Sequence, residues 1–480
     1  MLPPPQKPLI APLTPADAGV TSLAAPASAP AASPAPAAPL AADWWHAWGD
    51  AQFMRLMDKA LADAPDVRVA AARLAAAQAM LGEAQAARGI QSGVTAQAAL
   101  ARQSYNSGFP KAFVPKGYND SGRIALELGY DVDLWGRNRA AVASARAERA
   151  AAALDVAQSR LALSTALASA YVELQLRDRQ IHTAATWRDI RQQQARLVEA
   201  RLRQGIAQSS EALAAKAEVA RAENEWLLIV QARDQLRTRI AALAGLGPDY
   251  ARQMQETQRL PRRLMATTDQ VPLDLLGRRP DILAARARLE AAAQRIKMAR
   301  ASYYPNINIG AFIGVQALGL DNLFQSDSQI GQIGPAISLP IFGSKTIRAR
   351  HHRAEADYEA ARASYDAVLL QALREAADVQ QSRQQINAQM AALEAAQDHM
   401  QNIYTLTRQR YQAGLVAFSA VLEAQSHYVQ AQRALVQSET QSLLLDVALI
   451  RALGGGLDLH EDSANSTNNI NSAPSKKAQP

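Results

Sequence analysis

Residues 342–414, which begin FGSKTIRARHHRAEADYEAARASYDAV and end TRQRYQAG, decide the fold of this chain. Between Gly343 and Gly414 the run contains neither Gly nor Pro, and Ala, Gln, Arg, Glu and Leu, all good helix formers, dominate it. As one helix of about 70 residues it would be on the order of 100 Å long, several times an ordinary globular helix. The run therefore predicts a rod, which needs other helices alongside it.

The same arrangement occurs earlier in the chain, where Trp135-Gly136 is followed by a run without Gly or Pro as far as Gly205. In both places a strand-like run leads into the long helix through an aromatic residue and a Gly. Pro65-Asp66 and Pro280-Asp281 each predict the start of a shorter helix, because Pro suits the first helical position. These landmarks recur about 210 residues apart, which indicates a tandem duplication.

The duplication predicts two repeats with the same order of elements. The first repeat, residues 43–262, holds a helix, strands at about 91–101 and 123–134, a long helix at 137–204, a turn near 205 and a helix at 208–245. The second repeat, residues 263–457, holds a helix at 280–300, strands at about 305–317 and 330–342, a long helix at 344–413, a turn near 414 and a helix at 417–453. A Pro/Ala-rich extension, 1–42, and a tail predicted to be disordered, 458–480, flank the repeats.

Three of the predicted strands alternate with period two, so that each has an apolar side and a polar side, and the pattern is weaker at 91–101. In the first repeat Ile124, Leu126 and Leu128 alternate with Arg123 and Glu127. An antiparallel sheet that covers a core gives the same pattern. A length of about 10 to 13 residues, with no helix assigned to the apolar side, favours tilted strands in a bilayer instead.

Four strands in one chain cannot close a barrel, and open sheet edges are forbidden in lipid. Two chains would supply eight strands, which form a barrel without a usable pore, whereas three chains would supply twelve. If the strands lie in a membrane, the sequence therefore predicts a mainly α protein with a small β part, in which a trimer shares one barrel.

The composition excludes several classes of function. The chain has no cysteine, which removes disulfides, thiolate metal sites and cysteine nucleophiles. The formal net charge of +7 comes from Lys and Arg interspersed with Glu and Asp, which indicates solvated helical faces rather than a nucleic-acid patch. No run approaches the about 20 apolar residues of a membrane-spanning helix, and residues 1–5 do not have the pattern of a signal peptide.

No catalytic constellation occurs, so we predict that the protein is not an enzyme and that its function is geometric. The run Gly454-Gly455-Gly456 follows a helix and indicates its C-terminal stop rather than a phosphate loop. His46 and the pair His351-His352 lack partners at metal-binding spacing, so we predict no metal site. Three tryptophans at residues 44–48 fit either a membrane-interface belt or an anchor that packs onto a helix, and we favour the anchor.

Several motifs resemble one family. They are VPLDLLGRRPDI at 271–282, ARASYYPNI at 299–307, YDVDLWGR at 130–137, ISLPIF at 337–342, RYQAG at 410–414 and VLEAQ at 421–425. Together they resemble the TolC-type outer-membrane factor family, and within it the lipoprotein branch that supplies the outer-membrane channels of tripartite, RND-type efflux pumps. The resemblance covers roughly residues 43 to 457.

The resemblance implies a homotrimer with a 12-stranded outer-membrane β-barrel, continued by a long periplasmic α-helical barrel. Its partners would be a periplasmic adaptor protein, an inner-membrane pump and the lipid of the outer membrane of a Gram-negative bacterium, and no nucleic acid. No cofactor is implied except an N-terminal lipid on a cysteine of the native precursor. This chain has no such cysteine, so a missing leader and a truly unlipidated member both stay open.

The resemblance also implies roles for the helix turns at the periplasmic end. The predicted gate or constriction consists of Tyr411, Glu423 and Glu211. The predicted adaptor-contacting residues are Gly205, Ser209, Ser210, Gly414 and Ser419. Ala420 and Ala214 stand where the family often carries further acids, so an acidic ring would be thinner here, and Glu211 and Glu423 could equally be solvated acids at helix ends.

The resulting hypothesis is a passive exit duct for drugs or other small toxic compounds, of the kind that contributes to antibiotic resistance. A dedicated exporter, for example of aromatic acids, is the alternative. A soluble coiled-coil scaffold would account for the long helices but not for the four alternating strands.

Overall fold

A computed structural model describes residues 43–104, 106, 108, 110–256, 277–339 and 344–455. The predicted extension, the predicted tail, the motif residues 271–276 and the pair Phe342-Gly343 lie outside the described residues.

Eight α-helices occur in the described part of the chain. They are α1 (Ala51–Asp63), α2 (Pro65–Ala86), α3 (Arg137–Arg203), α4 (Ser209–Leu243), α5 (Pro248–Gln253), α6 (Pro280–Ala301), α7 (Ser344–Gln412) and α8 (Phe418–Ala452). The two predicted long helices correspond to α3, with 67 residues, and α7, with 69 residues. Among these helices none is long and apolar enough to cross a membrane.

Four strands form one antiparallel sheet in the order β1-β2-β3-β4. They are β1 (Gln91–Ala101), β2 (Asn119–Asp131), β3 (Asn306–Leu318) and β4 (Gln329–Ser338). Leu126 of β2 lies opposite Val94 of β1 on one side and opposite Ile313 of β3 on the other. This register places the apolar residues of neighbouring strands on the same face, as the alternation predicted.

The polar face of the sheet is linked across three strands. Arg123 lies 3.5 Å from Glu127 along β2, and the Thr95 hydroxyl of β1 donates to that carboxylate at 3.1 Å. The Arg123 guanidinium also stands 5.0 Å from the centre of the Phe312 ring of β3. The side chains on this second face therefore contact one another across neighbouring strands.

The bounds of β2 differ from the predicted 123–134, because both of its ends are decided by contacts outside the strand. At the start, residues 119–122 extend the strand, because they pair with the end of β1. At the end, Leu134 N–H donates to Val132 O at 2.7 Å in a tight turn, and both carboxylate oxygens of Asp133 accept N–H groups of the first turn of α3. The alternation continues past Asp131, but Asp133 caps the next helix, so the strand ends there.

The chain divides into two compact units that cut across the predicted repeats. One unit contains residues 72–153 and 284–367, which include the sheet. The other contains the described residues of 13–71, 154–283 and 368–480. Each unit takes segments from both halves of the sequence, and the division into two repeats stays a prediction.

The core of the second unit confirms the tryptophan anchor. Trp44, Trp45 and Trp48 are buried in one cluster with residues of α1, α3, α4 and α8. The Trp48 ring lies 4.7 Å from the Phe53 ring, which in turn lies 4.8 Å from the Tyr171 ring of α3. These aromatic contacts hold the N-terminal segment on the helices.

Candidate functional site: an exposed apolar sheet face and two helix turns

The middle of the apolar face of the sheet has no cover among the described residues, although Leu320 and Leu323 pack over Gly122 near the start of β2. Val94 is 71% exposed, Ile313 67% and Ile333 78%, although all three are large apolar residues in the middle of strands. A contiguous apolar surface of this kind is unusual for a water-exposed face and marks a site of contact with lipid or protein.

Exposed aromatic side chains occur beyond both ends of the strands. Phe113, Tyr118 and Phe324 lie in the loops that join β1 to β2 and β3 to β4, and they are 69–82% exposed. At the opposite ends, where the strands join α3 and α6, Trp135 stacks on Tyr304 with ring centres 4.4 Å apart. An apolar band between two sets of aromatic residues is typical of transmembrane β-barrels.

The turn between α3 and α4 closes with a left-handed Gly. Gly205 has φ +74°, its N–H donates to Leu202 O at 2.9 Å, and Ile206 N–H donates to Arg201 O at 2.8 Å. These are the two hydrogen bonds of a Schellman motif, which satisfies carbonyls at the helix end. The turn between α7 and α8 repeats the motif, with Gly414 at φ +74° and Leu415 N–H donating to Arg410 O at 2.9 Å.

The predicted gate residues lie around these turns but differ in their surroundings. Glu211 is the third residue of α4, and its carboxylate accepts the N–H of Gln208 at 3.4 Å in a capping box. Glu423 is exposed on α8 and forms no hydrogen bond or ion pair with any described residue. Tyr411 is 42% exposed, and its ring lies 5.3 Å from that of Phe418 across the turn. Within the described structure, no hydrogen bond or ion pair joins Glu211 to Glu423.

The predicted adaptor-contacting residues are all at the surface. Gly205, Ser209, Ser210, Gly414 and Ser419 are exposed, and beside them Ile206 is 62% exposed and Leu415 74%. Each turn therefore has a large exposed apolar side chain directly after its Gly, which sequence reasoning did not single out. In the sequence each turn Gly is followed by a large apolar residue, Ile206 or Leu415, and this repeated pattern could have identified both side chains.

The two helical hairpins pack against each other through α8. Leu422 and Val429 of α8 are buried against Ile190 of α3. Arg433 of α8 donates to Glu225 of α4 at 2.7 Å, and its guanidinium lies 5.5 Å from the centre of the Trp187 ring of α3. One arginine thus connects three helices by an ion pair and a cation–π contact.

The motif Arg278-Arg279-Pro280-Asp281 builds a buried ion cluster at the start of α6. Arg279 has a side chain that is 5% exposed, and it forms a two-bond fork with Asp281 at 3.1 and 2.7 Å. It also donates twice to Glu375 of α7 at 3.0 Å. Burial alone would lower the pKa of Arg279, but the hydrogen bonds and charges of Asp281 and Glu375 outweigh burial and raise the pKa above its usual value. The cluster therefore fixes α6 to α7.

The prediction that His351 and His352 lack a metal-binding partner needs correction. Both histidines lie near Glu355 on α7, with the Nδ1 atoms 3.6 Å and 3.0 Å from its two carboxylate oxygens. Two histidines and a carboxylate are a ligand set that Zn²⁺ and related ions accept. In the sequence Glu355 follows His352 by three residues and His351 by four, and this spacing, which puts all three on one helix face, indicates the contact.

We expect Gly414→Ala to lower the stability of the α7–α8 turn by roughly 1–2 kcal/mol, because φ +74° strains any residue with a Cβ atom. Gly82→Ala serves as the control, since Gly82 lies within α2 with no atom within 4 Å of an added Cβ. That change should stabilise by about 0.5–1 kcal/mol. Thermal unfolding in detergent measures both, and a loss of equal size in the two variants would show that the left-handed turn is not the cause.

Comparison with known proteins gives consistent results over most of the chain. The family model for outer membrane efflux proteins matches residues 56–246 and 271–455. The pyoverdine export outer membrane protein OpmQ of Pseudomonas aeruginosa is 30% identical over 419 residues, which cover 86% of this chain and 87% of that protein. The multidrug resistance outer membrane protein MdtP of Shigella flexneri is 26% identical over 427 residues, with 86% of each chain covered.

Solved structures agree with these relatives. The outer membrane protein VceC of Vibrio cholerae superposes with a TM-score of 0.79 at 39% identity, covering 88% of this chain and all of that one. The outer-membrane channel OprN gives a TM-score of 0.77 at 27% identity, covering 91% of this chain and 97% of that one.

Proposed function

This chain belongs to the outer membrane efflux protein family, and from that premise we propose that three copies form the passive exit duct of a tripartite efflux pump. The protein lies in the outer membrane, with its helical part in the periplasm. Its function is efflux through an outer-membrane channel. The trimer, the adaptor and the inner-membrane pump belong to the proposal.

The single observation that carries the proposal is the uncovered apolar face of a four-stranded sheet with two free edges. Within the described chain, β1 pairs only with β2 and β4 only with β3. An open edge leaves backbone N–H and C=O groups without partners, and each such group in lipid costs several kcal/mol. Three sheets joined edge to edge remove every edge and leave a polar interior wide enough for a duct.

The exposed apolar face also weighs against the soluble scaffold. In water, burying apolar surface contributes about 25 cal/mol per Å², so a soluble scaffold would gain by covering this face. Val94, Ile313 and Ile333 face outward without cover from the described helices. A bilayer supplies the missing cover.

In the proposed assembly the two helix turns have two tasks. The exposed Ile206 and Leu415, with the serines around them, form the contact surface for the periplasmic adaptor protein. Tyr411, Glu423 and Glu211 would form the constriction at the entrance. Opening would require the packed helices to shift as rods about contacts such as Arg433 to Glu225.

The substrate class is proposed only broadly. Relatives are named for pyoverdine export, for multidrug resistance and for toluene efflux. Since these relatives differ in what they export, we assign the choice of substrate to the inner-membrane pump, with drugs and small toxic compounds as the expected cargo. A dedicated exporter, for example of aromatic acids, is the alternative. The family consists of channels, and no catalytic role is proposed.

Planar-bilayer recording with a mass measurement tests the duct. We expect a complex of three chains in detergent that produces discrete conductance steps on insertion. A protein that stays monodisperse and monomeric without detergent would contradict the proposal and favour the scaffold.

Charge selectivity tests the entrance. We expect Glu423→Gln to shift the K⁺/Cl⁻ permeability ratio towards unity, because acidic side chains at a constriction favour cations. Glu211→Gln removes the second acid of the proposed constriction, while glutamine keeps the capping box. Because the Glu211 carboxylate is also engaged by the N–H of Gln208, we expect this variant to shift the ratio in the same direction but by less than Glu423→Gln. An unchanged ratio in both variants and in the double variant would reject an acidic constriction.

An N-terminal lipid on the native precursor also belongs to the proposal. The mass of the mature protein made from its natural gene would test it, since diacylation of an N-terminal cysteine adds a defined mass, and a mature protein without that added mass would contradict the proposal.

A further inference from the structure

A groove with basic and aromatic walls lies where the sheet joins the helices. It has a volume of about 680 Å³ and runs between the start of α3 and the end of α6. Trp135 and Arg139 line one wall, and Lys297, Arg300 and Tyr304 line the other. The groove belongs entirely to the unit that contains the sheet.

The basic side chains that line the groove outnumber the acidic groups that pair with them. Arg139 lies 3.4 Å from Asp133, which accounts for one cation. Lys297 and Arg300 form no ion pair with any residue that the structure describes, and both side chains open onto the groove. Two cations on one wall therefore remain available to an anionic group.

The two aromatic residues of the groove, Trp135 and Tyr304, contact each other. Trp135 and Tyr304 stack with an angle of 15° between their rings, and Trp135 Nε1 donates to Pro305 O at 2.9 Å. Trp135 lies four residues after the end of β2 and Tyr304 two residues before the start of β3, so both stand near the end of the sheet where the strands join the helices. Leu134, which continues the apolar alternation of β2, also lines the groove and is 54% exposed. Amphipathic rings of this kind sit at headgroup level in membrane proteins.

The place of the groove in the sheet order keeps it open in the proposed trimer. It lies at the ends of β2 and β3, the two central strands, whereas neighbouring copies would join at β1 and β4. The inference rests on the proposed function in this respect.

We propose that this groove binds the phosphate of a phospholipid headgroup in the bilayer around the sheet. Lys297 and Arg300 contact the phosphate oxygens, because basic groups near a membrane surface attract anionic lipid. The Trp135–Tyr304 pair packs against the glycerol region, and Leu134 continues into the acyl-chain layer. The site would fix the depth of the sheet in the membrane at the point where strands become helices.

Native mass spectrometry of the full chain in detergent, titrated with phosphatidylglycerol, tests the site. We expect the Lys297→Gln/Arg300→Gln double variant to bind this lipid about thirtyfold more weakly, as the loss of two basic contacts implies. The control is the double variant Arg146→Gln/Arg286→Gln. It removes two exposed cations that lie outside the groove, one on α3 and one on α6, and should change binding less than twofold. Lys297→Gln alone should weaken binding about fivefold, and it leaves Arg300 in the last turn of α6.

Further probes distinguish the source of the phosphate. Diacylglycerol, which lacks phosphate, should bind weakly to every variant, and inorganic phosphate should not displace the phospholipid. Equal losses in the groove and control variants, or equal binding of diacylglycerol and phosphatidylglycerol, would overturn the proposal. So would tight binding of a soluble aromatic carboxylate such as salicylate with no retained lipid, which would make the groove part of the duct wall. If the same spectra show the mass of three chains without bound lipid, the lipid proposal fails and the proposed trimer does not.

Discussion

We expect Gly314→Ala to reduce the amount of assembled protein in the outer membrane by more than tenfold. A Cβ atom at Gly314 of β3 would stand 2.1 Å from Ile124 O and 2.6 Å from Ala125 Cα, both backbone atoms of β2. No side-chain movement relieves such contacts, so the two central strands would have to separate. In lipid each broken ladder hydrogen bond costs several kcal/mol, far more than the added methyl group contributes.

The matched control lies on the same strand and the same face. Gly310 has no atom within 4 Å of an added Cβ, so Gly310→Ala should assemble to within twofold of the parent protein. Heat-modifiable mobility of the complex on gels, together with the amount in the outer-membrane fraction, measures the effect. Equal yields from the Gly310 and Gly314 variants would show that close approach of the central strands does not limit assembly.

Arg279→Leu should destabilise the second unit by up to about 3–5 kcal/mol, the usual cost of removing one partner from a buried ion cluster. The substitution leaves Asp281 and Glu375 facing each other without their shared cation, although their side chains are 23% and 25% exposed and water will reduce the cost. The midpoint of thermal unfolding in detergent should fall by several degrees, since a loss of 1 kcal/mol shifts it by about 2–4 °C in a unit of this size.

Two further variants separate charge from geometry at this site. Arg278→Leu changes the exposed neighbour and should leave the unfolding midpoint within about 1 °C of the parent, as for an ordinary surface substitution. Arg279→Lys keeps the charge but cannot form the fork with Asp281 while donating to Glu375, so it should recover less than half of the loss. Full recovery by lysine would mean that charge alone, rather than the planar fork, holds α6 to α7.

Local patterns in the sequence were sufficient to predict most of the secondary structure. The Gly- and Pro-free runs predicted α3 and α7, because helix propensity sums over many residues. The Gly at the end of each long run predicted the turns near 205 and 414, where the structure has Gly205 and Gly414 in the left-handed conformation. Period-two alternation predicted which residues share a sheet face, and the register of β2 with β1 and β3 confirms it.

Features that depend on residues far apart in the sequence could not be predicted from local patterns. The second partner of Arg279 is Glu375, which no local pattern connects to the motif. The tight contact at Gly314 follows from the path of β2, which lies far away in the sequence. The groove lined by Arg139 and Lys297 exists only because two helices from different halves of the chain lie side by side. In each case the contact is set by tertiary packing.

Cross-linking of neighbouring chains tests the central claim most directly, because the chain has no cysteine of its own. One cysteine is placed on the polar face of β1 and one on the polar face of β4, and the oxidised protein is separated on denaturing gels. The β1 positions are Thr95 and Gln97, and the β4 positions are Ile330, Gln332 and Gly334. A disulfide forms only where the two Cα atoms approach to about 4.4–6.8 Å. We predict at least one pair whose products end at three chains, and only monomers in the single-cysteine variants. Products that end at two chains, continue beyond three, or fail to form with any pair would contradict a barrel shared by three copies.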